Sequence, residues 1–217
     1  MSLFRVRYQT IEFDDYDIHL RTLKDKNQFS DPLGEADALG ISSAQWSLFG
    51  VVWESSEVLA REMQSYVHDG KRILEVGCGI GLTSMLLNAR NADITATDYH
   101  PEVGAFLVEN AKLNDDKQIP FLRTGWADLS DGLGTFDVIV GSDLLYEKEH
   151  VELLSQFIDR HANAECEVIL VDPGRGHHSL FSRAMVALGY SHTQYKPDQK
   201  AYALKPFKGQ VLKYTRA

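Results

Sequence analysis

The residues with the clearest chemical pattern lie between Glu75 and Gly81, where the sequence reads Glu-Val-Gly-Cys-Gly-Ile-Gly. This stretch follows an apolar run typical of a buried strand and precedes a run typical of a helix. Glycine lets a backbone turn sharply and approach a ligand closely, so Gly77, Gly79 and Gly81 predict a ligand-binding turn. Seventeen residues after Gly81, Asp98 ends a second predicted strand, where a carboxylate can accept hydrogen bonds from both hydroxyls of a ribose.

Two classes of nucleotide cofactor bind at such a turn, and the residues around the glycines distinguish them. A dinucleotide-binding turn has the pattern G-x-G-x-x-G/A, but here the third position holds Leu82 or Ser84, depending on which glycine begins the pattern. Glu75 also disfavours an anionic pyrophosphate, whereas it suits a ligand with an ammonium and a sulfonium group. The turn therefore favours a cationic nucleotide cofactor.

The pattern E-x-G-x-G-x-G with its following acid resembles the first motif of class I, seven-strand S-adenosylmethionine-dependent methyltransferases. The resemblance extends over roughly residues 50–217. It implies S-adenosyl-L-methionine as the cofactor, with Glu75, Gly77, Gly79 and Gly81 holding the methionine half and Asp98 the ribose. It also implies an α/β fold, a Rossmann-like seven-strand sheet with helices on both faces and the last strand antiparallel.

Two tryptophans extend the resemblance toward methyltransferase family 16, a group of protein-lysine and nicotinamide N-methyltransferase-like proteins. The segment around Trp53 is similar to the family's G-x-x-x-W-P-S motif, with Glu54 in place of the proline. The similarity implies that Trp53 helps to close the cofactor pocket. Trp126 follows the third strand of the predicted sheet, where the resemblance implies a neighbour of the adenine.

The acceptor side of the same family is represented by two segments that follow later strands. Ser142-Asp143-Leu144-Leu145-Tyr146 resembles the D/E-x-x-Y/F signature of the lysine methyltransferases. It implies that Asp143 and Tyr146 act on the methyl acceptor, and that Ser142 borders the cofactor. A later Asp-Pro-Gly-Arg turn resembles bacterial relatives, and its Arg175 is expected to bind an acidic group of the substrate.

Each of these side chains also has a structural interpretation, which the sequence leaves open. Trp53 could pack in the core, and Asp143 could cap the helix that follows it. Tyr146 could pack at an edge of the sheet, and Arg175 could tie down its own turn.

The surrounding sequence predicts the elements that position these residues. Alternating apolar and polar residues over 4–23 predict a β-hairpin, and residues 25–50 predict a long loop. A helix follows, with Ser55 or Ser56 as its expected cap. From residue 71 onward strands alternate with helices, which indicates a largely parallel sheet. We therefore predict an N-terminal hairpin and loop extension over residues 1–50 and a methyltransferase domain over residues 51–217, within one compact unit.

Composition limits the location and the partners. The 217-residue chain has 22 basic and 31 acidic residues, a net charge of −9, which disfavours nucleic acid as a partner. It has two cysteines, no apolar run near the roughly 18 residues of a membrane span, and a start unlike a signal peptide. We therefore expect a cytoplasmic protein that binds no membrane. The eight histidines show no metal-ligand spacing, so no metal is expected.

Together these patterns predict an N-methyltransferase whose acceptor is the side chain of a protein lysine. A methyl group on a sulfonium is attacked in line by a neutral nitrogen, which a carboxylate and a phenol can orient. A small-molecule, nicotinamide-like amine is the alternative acceptor. A nucleotide-dependent oxidoreductase and a non-catalytic nucleotide-binding module are further alternatives. The sequence does not specify the size of the acceptor or the oligomeric state.

Overall fold

The computed structural model describes residues 4–28, 31, 33–129, 132–198 and 207–217. In this part of the chain the strands are β1 (Val6–Glu12), β2 (Asp17–Leu23), β3 (Arg72–Val76), β4 (Asp93–Asp98), β5 (Phe121–Arg123), β6 (Phe136–Ser142), β7 (Ala162–Asp172), β8 (Ser191–Tyr195) and β9 (Gln210–Arg216). The α-helices are α1 (Glu35–Ala38), α2 (Glu54–Gln64), α3 (Leu82–Ala89), α4 (Val103–Leu113), α5 (His150–His161) and α6 (His178–Ala187).

Seven of these strands form one sheet in the order β5-β4-β3-β6-β7-β9-β8. Strand β9 runs antiparallel to both of its neighbours, whereas the other neighbouring pairs are parallel. The predicted Rossmann-like sheet with an antiparallel last strand is therefore confirmed. The chain enters the sheet at β3, adds β4 and β5 on one side, and then crosses to β6 on the other. Such a reversal opens a crevice at the carboxyl ends of the central strands.

Both faces of the sheet are covered, because successive side chains of a strand point to opposite faces. Ile73, Val138 and Val140 pack with α2 on one face. Leu74 and Ile139 pack with α5 and α6 on the other. Double coverage explains the continuous apolar runs in the sequence and confirms the prediction of helices on both faces.

The predicted N-terminal hairpin is confirmed, since β1 and β2 pair antiparallel. The free edge of β2 is bound by side chains of α4. Asn110 Oδ1 accepts a hydrogen bond from the Arg21 N–H at 2.7 Å, and Asn114 Oδ1 accepts one from the His19 N–H at 2.8 Å. The asparagines thereby satisfy an edge strand and attach the hairpin to the rest of the fold. The division at residue 50 stays a prediction.

The segment between the hairpin and the sheet differs from the sequence prediction. The expected cap of α2 is wrong, because the helix begins at Glu54 and both Ser55 and Ser56 lie within its first turn. The loop predicted over residues 25–50 contains α1 and a 3-10 turn at Leu48–Gly50, while its residues 29, 30 and 32 lie outside the described residues. None of the helices in the described part of the chain has the length and apolar character needed to cross a membrane.

Candidate active site

The glycine turn joins β3 to α3 and is built on three left-handed residues. Gly77, Gly79 and Gly81 have φ values of 61°, 52° and 73°, in a region that other residues rarely adopt. A Cβ atom added at Gly79 would lie 3.0 Å from the backbone carbonyl oxygen of Phe49. Gly81 immediately precedes the first residue of α3, so the turn leads directly into a helix N-terminus. The glycine spacing in the sequence is therefore a backbone requirement of this turn.

Asp98 lies at the end of β4 and supports the glycine turn. Its Oδ2 accepts a hydrogen bond from the Gly79 N–H at 2.8 Å, and its Oδ1 accepts one from the His100 N–H at 2.9 Å. Burial raises the pKa of Asp98, and these hydrogen bonds to the charged form offset part of the rise. The predicted ribose ligand is thus beside the turn, and it also holds the turn in shape.

Glu75 has a different surrounding from the one predicted. Its side chain is only 3% exposed, and its Oε2 accepts a hydrogen bond from the Ser84 N–H at 2.9 Å and another from the Ser84 hydroxyl. Burial raises the pKa of Glu75 to about 7. The carboxylate connects β3 to the first turn of α3. The structure therefore gives Glu75 a positioning role at this turn. Its predicted contact with the cofactor stays a prediction.

The segment before α2 lies against the glycine turn. The Trp53 indole N–H donates to the Leu48 carbonyl at 2.9 Å, which fixes the turn that carries Phe49. The Phe49 ring stacks on His100, with ring centroids 4.1 Å apart and an interplanar angle of 23°. Burial lowers the pKa of His100 to about 4, so its ring is neutral at physiological pH. Trp53 therefore supports the segment that carries Phe49. That it helps to close the cofactor pocket stays a prediction.

The Phe49–His100 stack was missed by the sequence analysis. The sequence predicts one loop over residues 25–50 and assigns no role to the Tyr-His pair directly after Asp98. The aromatic residues of that loop and the aromatic pair after a predicted binding acid were the signals available. Tyr99 makes a second contact between the end of β4 and residues 25–50, since its hydroxyl donates a hydrogen bond to the Leu39 carbonyl at 3.0 Å.

Asp143 follows the last residue of β6, Ser142, and has an unusual backbone for a non-glycine residue, with φ at 54°. Its N–H donates to the Val171 carbonyl at 2.9 Å, which fixes it to the neighbouring strand β7. Its side chain is 13% exposed. The helix-cap interpretation is wrong, because α5 begins at His150 and is preceded by Glu149.

Arg175 forms a two-pronged ion pair with Asp143. The arginine Nε donates to Oδ1 and Nη2 donates to Oδ2, both at 2.8 Å. The arginine side chain is 45% exposed. In the structure this arginine binds an acid of its own chain. That it binds an acidic group of the substrate stays a prediction.

Tyr146 and Trp126 flank the same residue of α5. The Tyr146 ring meets His150 edge-on, with centroids 4.4 Å apart, and the Trp126 ring does so at 5.1 Å. Burial, followed by the negative charges of Asp98, Glu147 and Asp143, raises the pKa of Tyr146, so it is a neutral phenol at physiological pH. Trp126 thus lies on the Tyr146 side of the site.

Asp172 is a second buried carboxyl group near Asp143. Both residues line a small pocket at the ends of β6 and β7, together with Gly141, Leu144, Leu145, Leu170 and Val171. Asp172 Oδ2 accepts a hydrogen bond from the Gly174 N–H at 2.9 Å and lies 3.7 Å from His178 Nδ1. Burial raises the pKa of Asp172. This carboxyl group anchors the turn that carries Arg175.

The predicted residues therefore form two adjoining groups. One group is the glycine turn with Asp98, and the other is Asp143 with Arg175 and Tyr146. Leu144, the residue after Asp143, packs over Gly77, where an added Cβ atom would lie 2.5 Å from the leucine Cδ2, so the two groups adjoin. An acidic residue beside a glycine cradle and a second acid beside a phenol are an arrangement suited to group transfer between a nucleotide and a polar acceptor.

Comparison with known families identifies the arrangement. The sequence model of the lysine methyltransferase family matches residues 38–180, a range that contains every site residue named above. The chain belongs to this family. The N-terminal hairpin and the final strand pair lie outside the matched range.

Curated relatives of this lysine methyltransferase family member share moderate identity with it. Protein N-lysine methyltransferase METTL21A of Danio rerio is 29% identical over 138 residues, covering 59% of this chain and 63% of that protein. Calmodulin-lysine N-methyltransferase of Arabidopsis thaliana is 29% identical over 136 residues, covering 57% of this chain and 45% of that protein. The chain thus spans about half to two thirds of the length of these relatives.

Solved structures agree on the fold. A methyltransferase from Pyrococcus furiosus has a TM-score of 0.58 at 21% identity, covering 74% of this chain and 83% of its own. The 16S rRNA N2 G1207 methyltransferase RsmC of T. thermophilus, in complex with AdoMet and guanosine, has a TM-score of 0.63 at 14% identity. That match covers 98% of this chain and 51% of RsmC. At such identities the likeness supports the fold alone.

Proposed function

We propose that this protein transfers a methyl group from S-adenosyl-L-methionine to the side-chain amine of a protein lysine. The observation that carries the proposal is the match to the lysine methyltransferase family across both groups of site residues. Two relatives named as lysine methyltransferases support the choice of acceptor. The net charge of −9 supports a protein or small amine rather than a nucleic acid as the partner. The cytoplasm is the proposed location.

The residues of the glycine turn and β4 fit this cofactor. The left-handed backbone of the turn favours glycine, and a Cβ atom at Gly79 would crowd the Phe49 carbonyl. Because glycine has no side chain, a ligand can approach the backbone of the turn closely. Asp98 uses two hydrogen bonds from backbone amides, and a carboxylate has about four acceptor positions. It can therefore keep the turn in shape while also accepting hydrogen bonds from ribose hydroxyls.

On the acceptor side, the chain supplies a negative charge and a neutral phenol. When bound, S-adenosyl-L-methionine supplies a methyl carbon that the amine nitrogen attacks, while the electrons of the breaking C–S bond stay on sulfur. Asp143 attracts and orients the lysine ammonium, and Tyr146 offers a hydroxyl beside it. The ammonium must give its proton to water before its lone pair can attack, and removal of the amine from bulk solvent favours that loss.

The acceptor class can be tested with labelled cofactor. We expect the purified protein to transfer labelled methyl groups from S-adenosyl-L-methionine to a protein in extract from a host that lacks this gene. An Asp143→Ala protein, prepared in parallel, is the control for background labelling. Label that appears only in the small-molecule fraction would overturn the lysine proposal and favour a small-molecule amine.

Cofactor choice is tested separately by calorimetry. We expect S-adenosyl-L-methionine and S-adenosylhomocysteine to bind, and NAD to give no heat. Binding of NAD without a response to either sulfur compound would refute the cofactor assignment.

A further inference from the structure

The ion pair between Arg175 and Asp143 raises a question about how an acceptor amine reaches the site. Both carboxylate oxygens of Asp143 accept hydrogen bonds from the guanidinium, each at 2.8 Å. The guanidinium fills two of the roughly four acceptor positions of this carboxylate and neutralises its charge. A lysine ammonium that binds the same carboxylate therefore competes with the arginine for it, because one negative charge cannot balance two cations.

The two partners differ in how firmly they are held. Asp143 is mostly buried, and its backbone is fixed by the hydrogen bond to the Val171 carbonyl. Arg175 is 45% exposed and lies between Gly174 and Gly176, whose φ values are 101° and 91°. A Cβ atom added at either glycine would meet nothing within 4 Å, so the turn lies in open space. The arginine can swing away, whereas the carboxylate cannot.

Displacement of Arg175 from Asp143 leaves the guanidinium charge without its carboxylate partner. The other carboxylate whose charge acts on Arg175 is Asp172, which is buried and engaged with the Gly174 N–H and His178. Tyr146, the third group acting on the arginine, is a neutral phenol. Once the acceptor ammonium holds Asp143, the displaced guanidinium has only water as a partner on the described part of the chain. An acidic group on the substrate would give it a new partner, so such a substrate binds more favourably than one without the acid.

We propose that the acceptor is a lysine with an acidic residue nearby, and that the acidic side chain takes over Arg175 when the lysine displaces it from Asp143. This inference rests on the proposed lysine methylation. Arg175 is then a specificity-determining residue. It occupies Asp143 in the free protein, and it binds the acidic side chain next to the target lysine in the complex.

The test uses synthetic peptides with one central lysine. Each peptide is varied at one position, which lies within three residues of the lysine on either side. That position holds Asp, Asn or Lys. Binding is measured with S-adenosylhomocysteine present, and methyl transfer is measured separately with labelled S-adenosyl-L-methionine. The proteins are wild type, Arg175→Gln and Arg175→Glu. Arg183→Glu, which changes an exposed charge on α6, is the matched control.

For wild type we expect at least one Asp position that binds about tenfold more tightly than its Asn counterpart, the scale of one charge-assisted contact. Arg175→Gln should lose this preference and bind the Asn peptide more tightly than wild type does, because no cation competes for Asp143. A merely structural arginine would weaken all peptides equally. Arg175→Glu should prefer Lys over Asp at the same position, and Arg183→Glu should behave like wild type.

Equal binding of Asp and Asn peptides by wild type, or weaker binding of Asn peptides by Arg175→Gln, would overturn the inference. Failure of wild type to bind any lysine peptide would refute it as well. Binding with the expected charge preference but without methyl transfer has a different meaning. That result supports the role of Arg175 and refutes the proposed methylation.

Discussion

The two groups of site residues are held in place by different means. On the cofactor side, the glycine turn is fixed by its backbone conformation and by a hydrogen bond from the Gly79 N–H to Asp98. Glu75 connects β3 to α3 by accepting a hydrogen bond from the Ser84 N–H. On the acceptor side, Asp143 and Arg175 are joined by an ion pair between side chains, and the arginine is half exposed.

This difference separates a fixed site from an exchangeable one. A buried turn held by main-chain hydrogen bonds keeps its shape whether or not a ligand is bound, which suits a cofactor that is the same in every reaction cycle. A partly exposed ion pair can be replaced by other charges at modest cost, which suits acceptors that arrive and leave. Mutations on the two sides should therefore have different effects on folding, binding and turnover.

The largest expected effect comes from Asp143. Replacing it with alanine removes the charge that orients the amine, and we expect turnover to fall by more than about 100-fold. Affinity for S-adenosylhomocysteine should change little, because the residue supports no part of the glycine turn. The thermal midpoint should fall modestly, since alanine tolerates the φ of 54° less well than aspartate and the ion pair with Arg175 is lost. Calorimetry and thermal denaturation check both. An active Asp143→Ala protein would show that the acceptor side lies elsewhere.

The second prediction concerns the protonation of the acceptor. A lysine amine has a reference pKa of roughly 10.4, so its neutral fraction rises about tenfold per pH unit below that value. Burial keeps the pKa of Tyr146 above its usual range, so the phenol does not titrate in this window. Single-turnover rates at saturating cofactor should climb between pH 7 and about pH 9. A pyridine-type nitrogen would give a nearly flat profile.

The third prediction tests the cofactor side. Asp98→Ala should weaken binding of S-adenosylhomocysteine by about 10- to 100-fold, the scale of lost hydrogen bonds to a charged group. It should also lower the free energy of unfolding by about 1–2 kcal/mol, because Gly79 and His100 lose their acceptor. Asp98→Asn, which keeps one acceptor oxygen, should lose less of both. Unchanged affinity in Asp98→Ala would exclude it as a cofactor ligand.

Replacing Glu75 is expected to have the smallest effect on turnover. Its main effect is on the free energy of unfolding. Burial raises the pKa of Glu75 from 4.5 to about 7. Its contribution to stability is therefore full below about pH 4.5 and is lost as the pH rises through about 7. Glu75→Gln removes this titration, so the stability of the variant relative to wild type should rise by on the order of 2 kcal/mol between pH 5 and 8. Urea denaturation across this range measures it. Parallel pH curves for the two proteins would contradict the buried position.

The sequence was sufficient for the sheet and the glycine turn, because both leave local patterns. Doubly covered strands give continuous apolar runs, and a left-handed turn demands glycine at fixed positions. The predictions that Asp98 ends one strand and that Asp143 directly follows another are confirmed. Each of these predictions depends on residues close together in the chain.

What the sequence could not supply were contacts between distant segments. The pairing of Arg175 with Asp143 joins residues 32 positions apart, and the stack of Phe49 on His100 joins a loop to the end of β4. Glu75 illustrates a second limit, since its residue type suggests an exposed ligand while its register in β3 buries it. The side of a strand that a charged residue occupies depends on what packs against that strand.

The central claim, that the acceptor is a lysine nitrogen, is tested most directly by the chemical identity of the labelled product. A protein labelled from S-adenosyl-L-methionine by the wild-type enzyme is hydrolysed completely, and its amino acids are separated by chromatography with mass detection. Label is expected in N6-methylated lysine, and none above background when Asp143→Ala is used. Label in methylarginine, methylhistidine or a base-labile methyl ester would contradict it.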